Sequence, residues 1–315
     1  MKQLITLLLL TSCVHSFSQD IEKYYDYNWK ECLPNDARFY SAIFTTDSGY
    51  VRKDYFIHEK SIQMVGKYLD ADLKIQNGSF YYFHPNGVLD GVGKYANGKK
   101  DGLWLHYYAD GMPSDSVTYL NGHVIGTSLS WHPNGYVKDS SVVNEEGKGV
   151  SVGWFDNGNP SFAGLIINGT KQTGNWKYFH KNGTVSSIET YKDGALTNKL
   201  YFDEGGKALI DTTDKDNEAS FPGGSKAWLK YLEKKIYFPD QYKIVNGDKA
   251  VVVVSFAINE DGVVEDVNVS TPFYPQFDVI AKNAIIKSPK WIPAISHNRR
   301  VKAWRRQPVT FAQSE

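Results

Sequence analysis

Short runs of alternating apolar and polar residues, separated by turn dipeptides, fill the middle of this 315-residue chain. An Asn-Gly, Asp-Gly or Glu-Gly pair recurs so that successive turns are 11–14 residues apart, which leaves six to nine residues for each strand. Asn-Gly and Asp-Gly favour the type I′ turn of a β-hairpin, because both central residues adopt positive φ. The pattern predicts about one hairpin per repeat, and a continuous antiparallel sheet from about Gly78 to Phe202. The turn glycines of two interleaved series are Gly87, Gly111, Gly135, Gly158, Gly183 and Gly205, and Gly98, Gly122, Gly147, Gly169 and Gly194.

Aromatic residues recur in phase with these turns. Three strands begin with the triplet glycine, any residue, aromatic, which ends at Phe80, Trp104 and Trp176. Aromatic side chains in register on neighbouring strands can form ladders that supply a core without helices. We therefore expect an aromatic core, with Trp131 and Trp154 buried in it. The aromatics that stand four positions before the first-series glycines are Phe83, Tyr107, Trp131, Trp154, Phe179 and Tyr201.

The segments on either side of the repeats have different patterns. Residues 19–76 contain alternating stretches that predict several strands leading into the repeats. Residues 211–218 contain no apolar residue and predict a linker. Beyond the linker, the periodicity predicts an α-β-β-α-β order, which is typical of a small antiparallel sheet with two helices on one face. The predicted elements are helices Ser225–Lys235 and Phe277–Ile286 and strands Lys249–Ile258, Val263–Val269 and Val301–Phe311.

The repeats resemble the bacterial variant of the MORN repeat, with its G-x-W-x-x-Y/F-x-x-N-G pattern, and we assign residues 77–210 to this region. Residues 219–315 resemble the C-terminal domain of TonB-type energy transducers, in the form common in Bacteroidetes. This second resemblance rests on many positions in the right order. They are Phe221-Pro222-Gly223-Gly224, Tyr237-Phe238-Pro239, Gly247, Val251–Phe256, Asp261-Gly262, Pro289–Ala294 and Pro308-Val309-x-Phe311, with departures at Arg305 and Gln307, where the family has apolar residues.

The TonB resemblance implies a binding function and a mode of binding. In the family this domain pairs with an extended segment of an outer-membrane transporter, and backbone hydrogen bonds supply affinity. The last strand alternates, so Arg300, Lys302, Trp304 and Arg306 form the predicted partner-binding set on its outward side. Four of the six arginines of the chain, Arg299, Arg300, Arg305 and Arg306, lie within eight residues around Trp304 and form a basic cluster with Lys302. The alternative is that charges on an edge strand only prevent edge-to-edge aggregation.

The first 18 residues are typical of a secretory signal peptide. Lys2 precedes the apolar run Leu4–Leu10, and Ser16-Phe17-Ser18 forms a small-x-small cleavage site before Gln19. The run is shorter than the roughly 20 residues that span a bilayer. We therefore expect export to the periplasm. The alternative is a lipoprotein signal in which Cys13 is lipidated, and only then would the protein be anchored to a membrane.

Composition and motifs exclude several other functions. The net charge of zero and the export signal argue against a nucleic-acid partner. Nucleophile, P-loop, zinc-protease and dinucleotide motifs do not occur, so we expect neither an enzyme nor a cofactor. His84, His132 and His180 recur every 48 residues. At roughly 4.8 Å per strand they would lie about 19 Å apart, too far to share one metal ion.

These observations together predict an exported, non-enzymatic envelope protein that binds an outer-membrane transporter or another envelope protein by β-strand addition. TonB transducers also carry a membrane helix and a proline-rich spacer, whereas the 12 prolines here do not cluster. We therefore do not expect the chain to transmit proton-motive force by itself. Two alternatives remain open, a transport component that recruits a separate proton-driven motor and a MORN-type repeat scaffold.

Overall fold

Fifteen strands form one antiparallel sheet in which each strand pairs with its neighbours in sequence. The computed structural model describes residues 21–244 and 249–313, so the predicted signal peptide, Cys13 and Gly247 lie outside the described residues. The strands are β1 (Ile21–Tyr25), β2 (Phe39–Thr46), β3 (Gly49–Phe56), β4 (Ser61–Tyr68), β5 (Gly78–Phe83), β6 (Leu89–Ala96), β7 (Lys99–Tyr107), β8 (Pro113–Leu120), β9 (His123–Trp131), β10 (Val137–Val143), β11 (Gly149–Trp154), β12 (Pro160–Ile167), β13 (Lys171–Phe179), β14 (Val185–Lys192) and β15 (Ala195–Tyr201). The predicted repeat sheet is confirmed, and β1–β4 extend it toward the N-terminus.

Aromatic rings lying over glycines of the preceding strand form the core of this sheet. Trp104 covers Gly93 and Trp176 covers Gly164, so closely that a Cβ atom at either glycine would collide with the indole ring. Both tryptophans are buried, with 2% and 5% of their surface exposed. Their Nε1 atoms donate to the carbonyl oxygens of Lys94, at 3.1 Å, and Leu165, at 2.8 Å. Glycine is therefore required here because it makes room for a ring.

The prediction that Trp131 and Trp154 are buried core residues is wrong, because both are only half-buried. They are the last residues of β9 and β11, where the sheet gives way to a turn and a ring is covered from fewer sides. In their series only Tyr201 is buried, with 4% of its surface exposed. The core is therefore formed by the aromatic residues near the beginning of the strands, and mostly not by those at the strand ends.

The type I′ prediction holds for the four Asn-Gly and Asp-Gly turns of the second series, whereas at Glu146-Gly147 only the glycine has positive φ. In the second series Asn97, Asn121, Asn168 and Asp193 have φ of 49–52°, and the following glycines also have positive φ. In the first series a single glycine of each turn has positive φ, and in the last turn this is Gly206 and not Gly205. At Gly87 the N–H donates to the His84 carbonyl at 2.8 Å. That pattern is a three-residue hairpin loop ending in a left-handed glycine, so the type I′ prediction is wrong there.

The C-terminal unit has the predicted α-β-β-α-β order with one extra hairpin. Its three-stranded sheet has the order β17-β16-β20, and the helices cover one face of it. Buried Val252, Val254 and Phe256 pack there against Trp228 and Phe277. The elements are α1 (Gly224–Lys235), β16 (Lys249–Ile258), β17 (Val264–Thr271), α2 (Pro275–Ile286), β18 (Ala294–Ser296), β19 (Arg299–Val301) and β20 (Ala303–Ala312).

The predicted last strand, Val301–Phe311, is in fact two strands. His297 and Asn298 have φ of 54° and 59° and form the turn of the small β18–β19 hairpin. The strand that ends just before Lys302, β19, therefore pairs with β18 and is not part of β20. Two polar side chains of β20 then lie on the helix side. Gln307 accepts a hydrogen bond from Trp228 Nε1 at 2.8 Å, and Arg305 donates to the Ala219 carbonyl. These bonds explain how polar residues occupy positions where the TonB family has apolar ones.

Candidate functional site

One edge of β20 is unpaired. The strand pairs with β16 along its whole length, and no backbone hydrogen bond from its other edge occurs within the part of the chain that the structure describes. A cavity of about 510 Å³ lies between Ala303 and the segment around Asn217, and one of about 480 Å³ lies between Gln307 and the first turns of α1. The edge therefore has open space beside it and backbone groups that an added strand can bind.

Two of the four predicted partner-binding residues lie on one face of β20. Trp304 is opposite Ala257 and Arg306 is opposite Ser255, so both are on the face turned toward the repeat sheet. Trp304 is 53% exposed and borders the cavities at the β20 edge. Nη2 of Arg306 donates to the carbonyl oxygen of Tyr27 at 3.4 Å. The exposed indole therefore borders the open space beside this edge.

The other two predicted residues are placed differently. Lys302 is held by Glu265 and by Asp266, whose Oδ2 atom is 3.2 Å from Nζ. Desolvation alone would lower the pKa of Lys302, but the hydrogen bonds and charges of the two carboxylates outweigh it and raise the pKa. Arg300 is exposed on the β18–β19 hairpin. The predicted set is therefore not a single cluster, and Lys302 already has two anionic partners.

A ladder of hydrogen bonds runs along the first-series turns, on the side of the sheet that meets the C-terminal unit. At four of these turns the side chain three positions before the turn glycine bonds the backbone carbonyl of the next repeat, so each recurring histidine forms its own rung. Within residues 21–244 and 249–313, three or more potential metal-ligating side chains do not come together. The rungs are His84 Nε2 with Tyr107 O at 2.9 Å, Tyr108 Oη with Trp131 O at 2.6 Å, His132 Nε2 with Trp154 O at 2.9 Å and His180 Nε2 with Phe202 O at 3.0 Å.

Arg299 completes this ladder from the C-terminal unit. The rung position of the fourth repeat is Phe155, which has no donor. Arg299 Nη1 donates instead to the carbonyl oxygen of Phe179, at 2.6 Å, and to that of Ser161, and the guanidinium carbon lies 5.1 Å from the Phe155 ring centre. Sequence reasoning missed this role. The signal was present, because Phe155 interrupts a series of histidines and tyrosine.

The β18–β19 hairpin makes a second contact on the repeat sheet. His297 stacks on Tyr178 with ring centres 3.6 Å apart, and its Nδ1 atom is 3.0 Å from both carboxylate oxygens of buried Glu189. Desolvation alone would raise the pKa of Glu189, but hydrogen bonds from His297, Tyr191 and Ser187, with the charge on His297, lower it overall. A buried carboxylate of the repeat sheet thus has a hydrogen-bond partner on the C-terminal unit.

A third contact lies near the start of the sheet. Buried Arg38 donates through Nε to the carbonyl oxygen of Val251 at 3.2 Å, and its guanidinium carbon is 4.5 Å from the ring centre of Phe273. Burial raises the pKa of Glu59 to about 7 and that of Asp278 to about 6. With the hairpin contacts, this interaction holds the C-terminal unit against the sheet at two separated points, while the outer edge of β20 stays unpaired.

Comparisons with known proteins agree with this architecture. Residues 235–312 match the family model described as the Gram-negative bacterial TonB protein C-terminal, and residues 172–193 match that of the MORN repeat variant. No curated protein matches the chain. One solved structure, titled "Crystal structure of GtfA/B complex bound to UDP and GlcNAc", aligns at 10% identity with a TM-score of 0.18, over 49% of this chain and 29% of that one.

The TonB C-terminal family is non-enzymatic, and its domains interact with outer-membrane transporters, which indicates an envelope protein connected with TonB-type transport. Across residues 21–244 and 249–313, no helix has both the length and the apolar character needed to cross a membrane. The C-terminal unit is therefore similar to the TonB C-terminal domain, and the sheet beside it contains a MORN-variant repeat.

Proposed function

We propose that this chain is an exported, non-enzymatic envelope protein whose C-terminal unit binds an extended segment of an outer-membrane or periplasmic partner by adding it to the open edge of β20. The observation that carries the proposal is that this edge is unpaired and bordered by cavities of about 510 and 480 Å³. An added strand gains backbone hydrogen bonds there, and exposed Trp304 supplies apolar contact.

The charges of the predicted set have a smaller role. Arg300 is exposed, and an exposed ion pair contributes only about 0–1 kcal/mol. Lys302 is already bound to Glu265 and Asp266, and a partner carboxylate would compete with them. Backbone pairing and the Trp304 ring therefore provide most of the affinity, and Arg300 adds a contribution that salt screens.

Proline and alanine substitutions in β20 test strand addition. In an antiparallel edge strand, successive N–H groups point to opposite sides, so one of Ala303→Pro and Trp304→Pro removes only an outward donor. We expect that variant to keep its circular dichroism and Tm but lose capture of outer-membrane proteins. Trp304→Ala should also abolish capture, while Arg300→Ala should weaken it in a salt-dependent manner.

Tyr237→Ala is the matched control, because Tyr237 is 64% exposed on the C-terminal unit and lies outside β20. It should capture the same proteins as the unaltered chain. If both proline variants fold and capture partners normally, strand addition at this edge does not occur, and the basic residues would then serve only to prevent aggregation.

Export is tested at the N-terminus of the protein recovered from the envelope. We expect signal cleavage after Ser18, which gives a mature chain beginning at Gln19, measured as intact mass. A mass that corresponds to lipid-modified Cys13 would show that the protein is an outer-membrane-anchored lipoprotein and not a soluble periplasmic protein. A mass that includes Met1 would contradict export.

A further inference from the structure

Two successive repeats lack the aromatic ring that covers the sheet elsewhere. The glycine-x-aromatic triplets end at Phe80, Trp104 and Trp176. The two repeats between Trp104 and Trp176 have glycine-x-serine instead, ending at Ser128 and Ser151. The buried apolar residues accordingly form two separate clusters in the sheet, one around Trp104 and one around Trp176. Ser128 and Ser151 therefore stand where other repeats have a ring, and the nearby Phe162 ring lies over Gly153 instead.

Strand register brings small residues together in this gap. Ser128 pairs with Ser141, and Ser141 with Ser151, so three serines lie side by side on one face. The row ends at Gly164, which pairs with Ser151 and is covered by the Trp176 ring. The Oγ atom of Ser128 is buried without a hydrogen-bond partner. The result is a depression in the sheet with a hydroxyl-bearing floor.

A groove of about 610 Å³ occupies this region, between the repeat sheet and the β18–β19 hairpin. Ser141 and Ser151 line its floor, and the rings of Phe162 and Trp176 line it as well. Lys171 and Arg299 supply positive charge, and among the described lining residues there is no aspartate or glutamate. The groove therefore favours an anionic ligand with many hydroxyl groups.

Arg299 has the hydrogen-bonding edge that such a ligand needs. Its Nη1 atom is used by two backbone carbonyls, but Nε is buried without a partner, and Nη2 makes no hydrogen bond within the described ranges. The Nε–Nη2 edge of a guanidinium is one that binds a carboxylate through two parallel bonds. The nearest acids are engaged elsewhere, Glu189 with His297 and Glu260 with Lys181. Arg299 is only 8% exposed, so its charge is largely buried. It also has no carboxylate partner, and an unpaired buried charge is unfavourable.

We propose that this groove binds an acidic oligosaccharide, whose carboxylate pairs with the Nε–Nη2 edge of Arg299 and whose hydroxyl groups bond the serine floor. Burial lowers the pKa of Arg299 to about 10, so the guanidinium remains charged at neutral pH. Lys171 provides a second cation for a further acidic sugar. The inference is independent of strand addition at β20, which uses a different surface.

A saccharide fits this groove better than an acidic peptide does. The floor is the face of a sheet whose strands are paired on both sides, so its backbone offers no donors or acceptors to a peptide main chain. An extended peptide would leave many of its own backbone groups unsatisfied there. Sugar hydroxyls both donate and accept, and so match the hydroxyl groups of Ser141, Ser151 and Thr170 and the amide of Gln172.

Calorimetric titration of the full chain with trigalacturonate tests the proposal, with maltotriose as the neutral saccharide and triglutamate as the acidic peptide. We expect trigalacturonate to bind at least tenfold more tightly than either. Arg299→Lys should weaken binding at least tenfold, because lysine cannot form the two parallel bonds. Lys171→Gln should weaken it less.

A second variant alters the floor without touching any charge or the contacts of the hairpin. Ser141→Gly with Ser151→Trp rebuilds the ring-over-glycine pair found at Gly93 and Trp104. We expect it to abolish trigalacturonate binding while Tm is kept or raised. Unchanged binding in this variant, or no binding of trigalacturonate to the unaltered chain, would overturn the proposal. A preference for triglutamate would reject the saccharide as the ligand class.

Discussion

Replacing Trp104 with alanine is expected to lower the free energy of unfolding by about 3–5 kcal/mol, the range for removing a buried tryptophan ring. The indole is 2% exposed, lies over Gly93 and donates a hydrogen bond to the Lys94 carbonyl. Alanine would leave a cavity beside a glycine, which has no side chain with which to fill it. Urea denaturation followed by circular dichroism measures the loss.

Trp131→Ala is the matched comparison, because its ring is half-buried at the end of β9. We expect a clearly smaller loss there than at Trp104. Gly93→Ala should lower the free energy of unfolding by about 1–3 kcal/mol through overpacking, since its Cβ would push the Trp104 ring out of place. An equal loss for Trp104→Ala and Trp131→Ala, or one below about 1 kcal/mol at Trp104, would contradict the assignment of the core.

His297→Ala is expected to loosen the contact between the C-terminal unit and the repeat sheet. It removes the hydrogen bonds to Glu189, and a bond to a charged group is worth about 1.5–3 kcal/mol. It also removes the stacking on Tyr178, worth about 0.5–1.5 kcal/mol. Thermal unfolding should show a lower Tm, and protease cleavage within residues 211–218 should become faster. Unchanged Tm and cleavage would mean that the contact does not hold the two units together.

The same contact has a defined pH dependence. The folded pKa of Glu189 lies below its unfolded value of about 4.3, so ionised Glu189 stabilises the fold above that pH. This contribution is lost as the pH falls through the folded pKa. The stability difference between the unaltered chain and Glu189→Gln should therefore shrink as the pH is lowered from 7 to 3. A difference that stays constant over this range would exclude Glu189 as the responsible group.

Local patterns predicted much of the fold because hairpins and short helices depend on neighbours in sequence. The spacing of the turns predicted the antiparallel sheet, and the apolar runs predicted β16 with the bounds Lys249–Ile258 that the structure has. The second-series turns follow from Asn-Gly and Asp-Gly pairs alone. The first-series turns mostly contain the same pairs but form another loop, in which the side chain of Asn86, for example, donates to the Ala109 carbonyl of the next repeat.

The candidate sites depended on contacts that sequence spacing does not contain. The alternation of β20 indicated an outward Trp304, but the ion pairs of Lys302 arise from residues 36 and 37 positions earlier, Asp266 and Glu265. The glycine-x-serine triplets at Ser128 and Ser151 were visible as missing rings, but nothing local placed an arginine beside them.

The sequence alone thus determined the repeat sheet and the α-β-β-α-β order of the C-terminal unit, because hairpins and short helices are specified by turn chemistry and by period. Only the tertiary structure decided that Arg299 docks at the rung where Phe155 has no donor and lines the groove above the serine floor, and that β20 keeps a free edge. The physical reason is that Arg299 bonds carbonyl groups more than a hundred residues away, which meet it only after both units have folded and docked. The free edge of β20 likewise depends on which strands pair when the C-terminal unit folds.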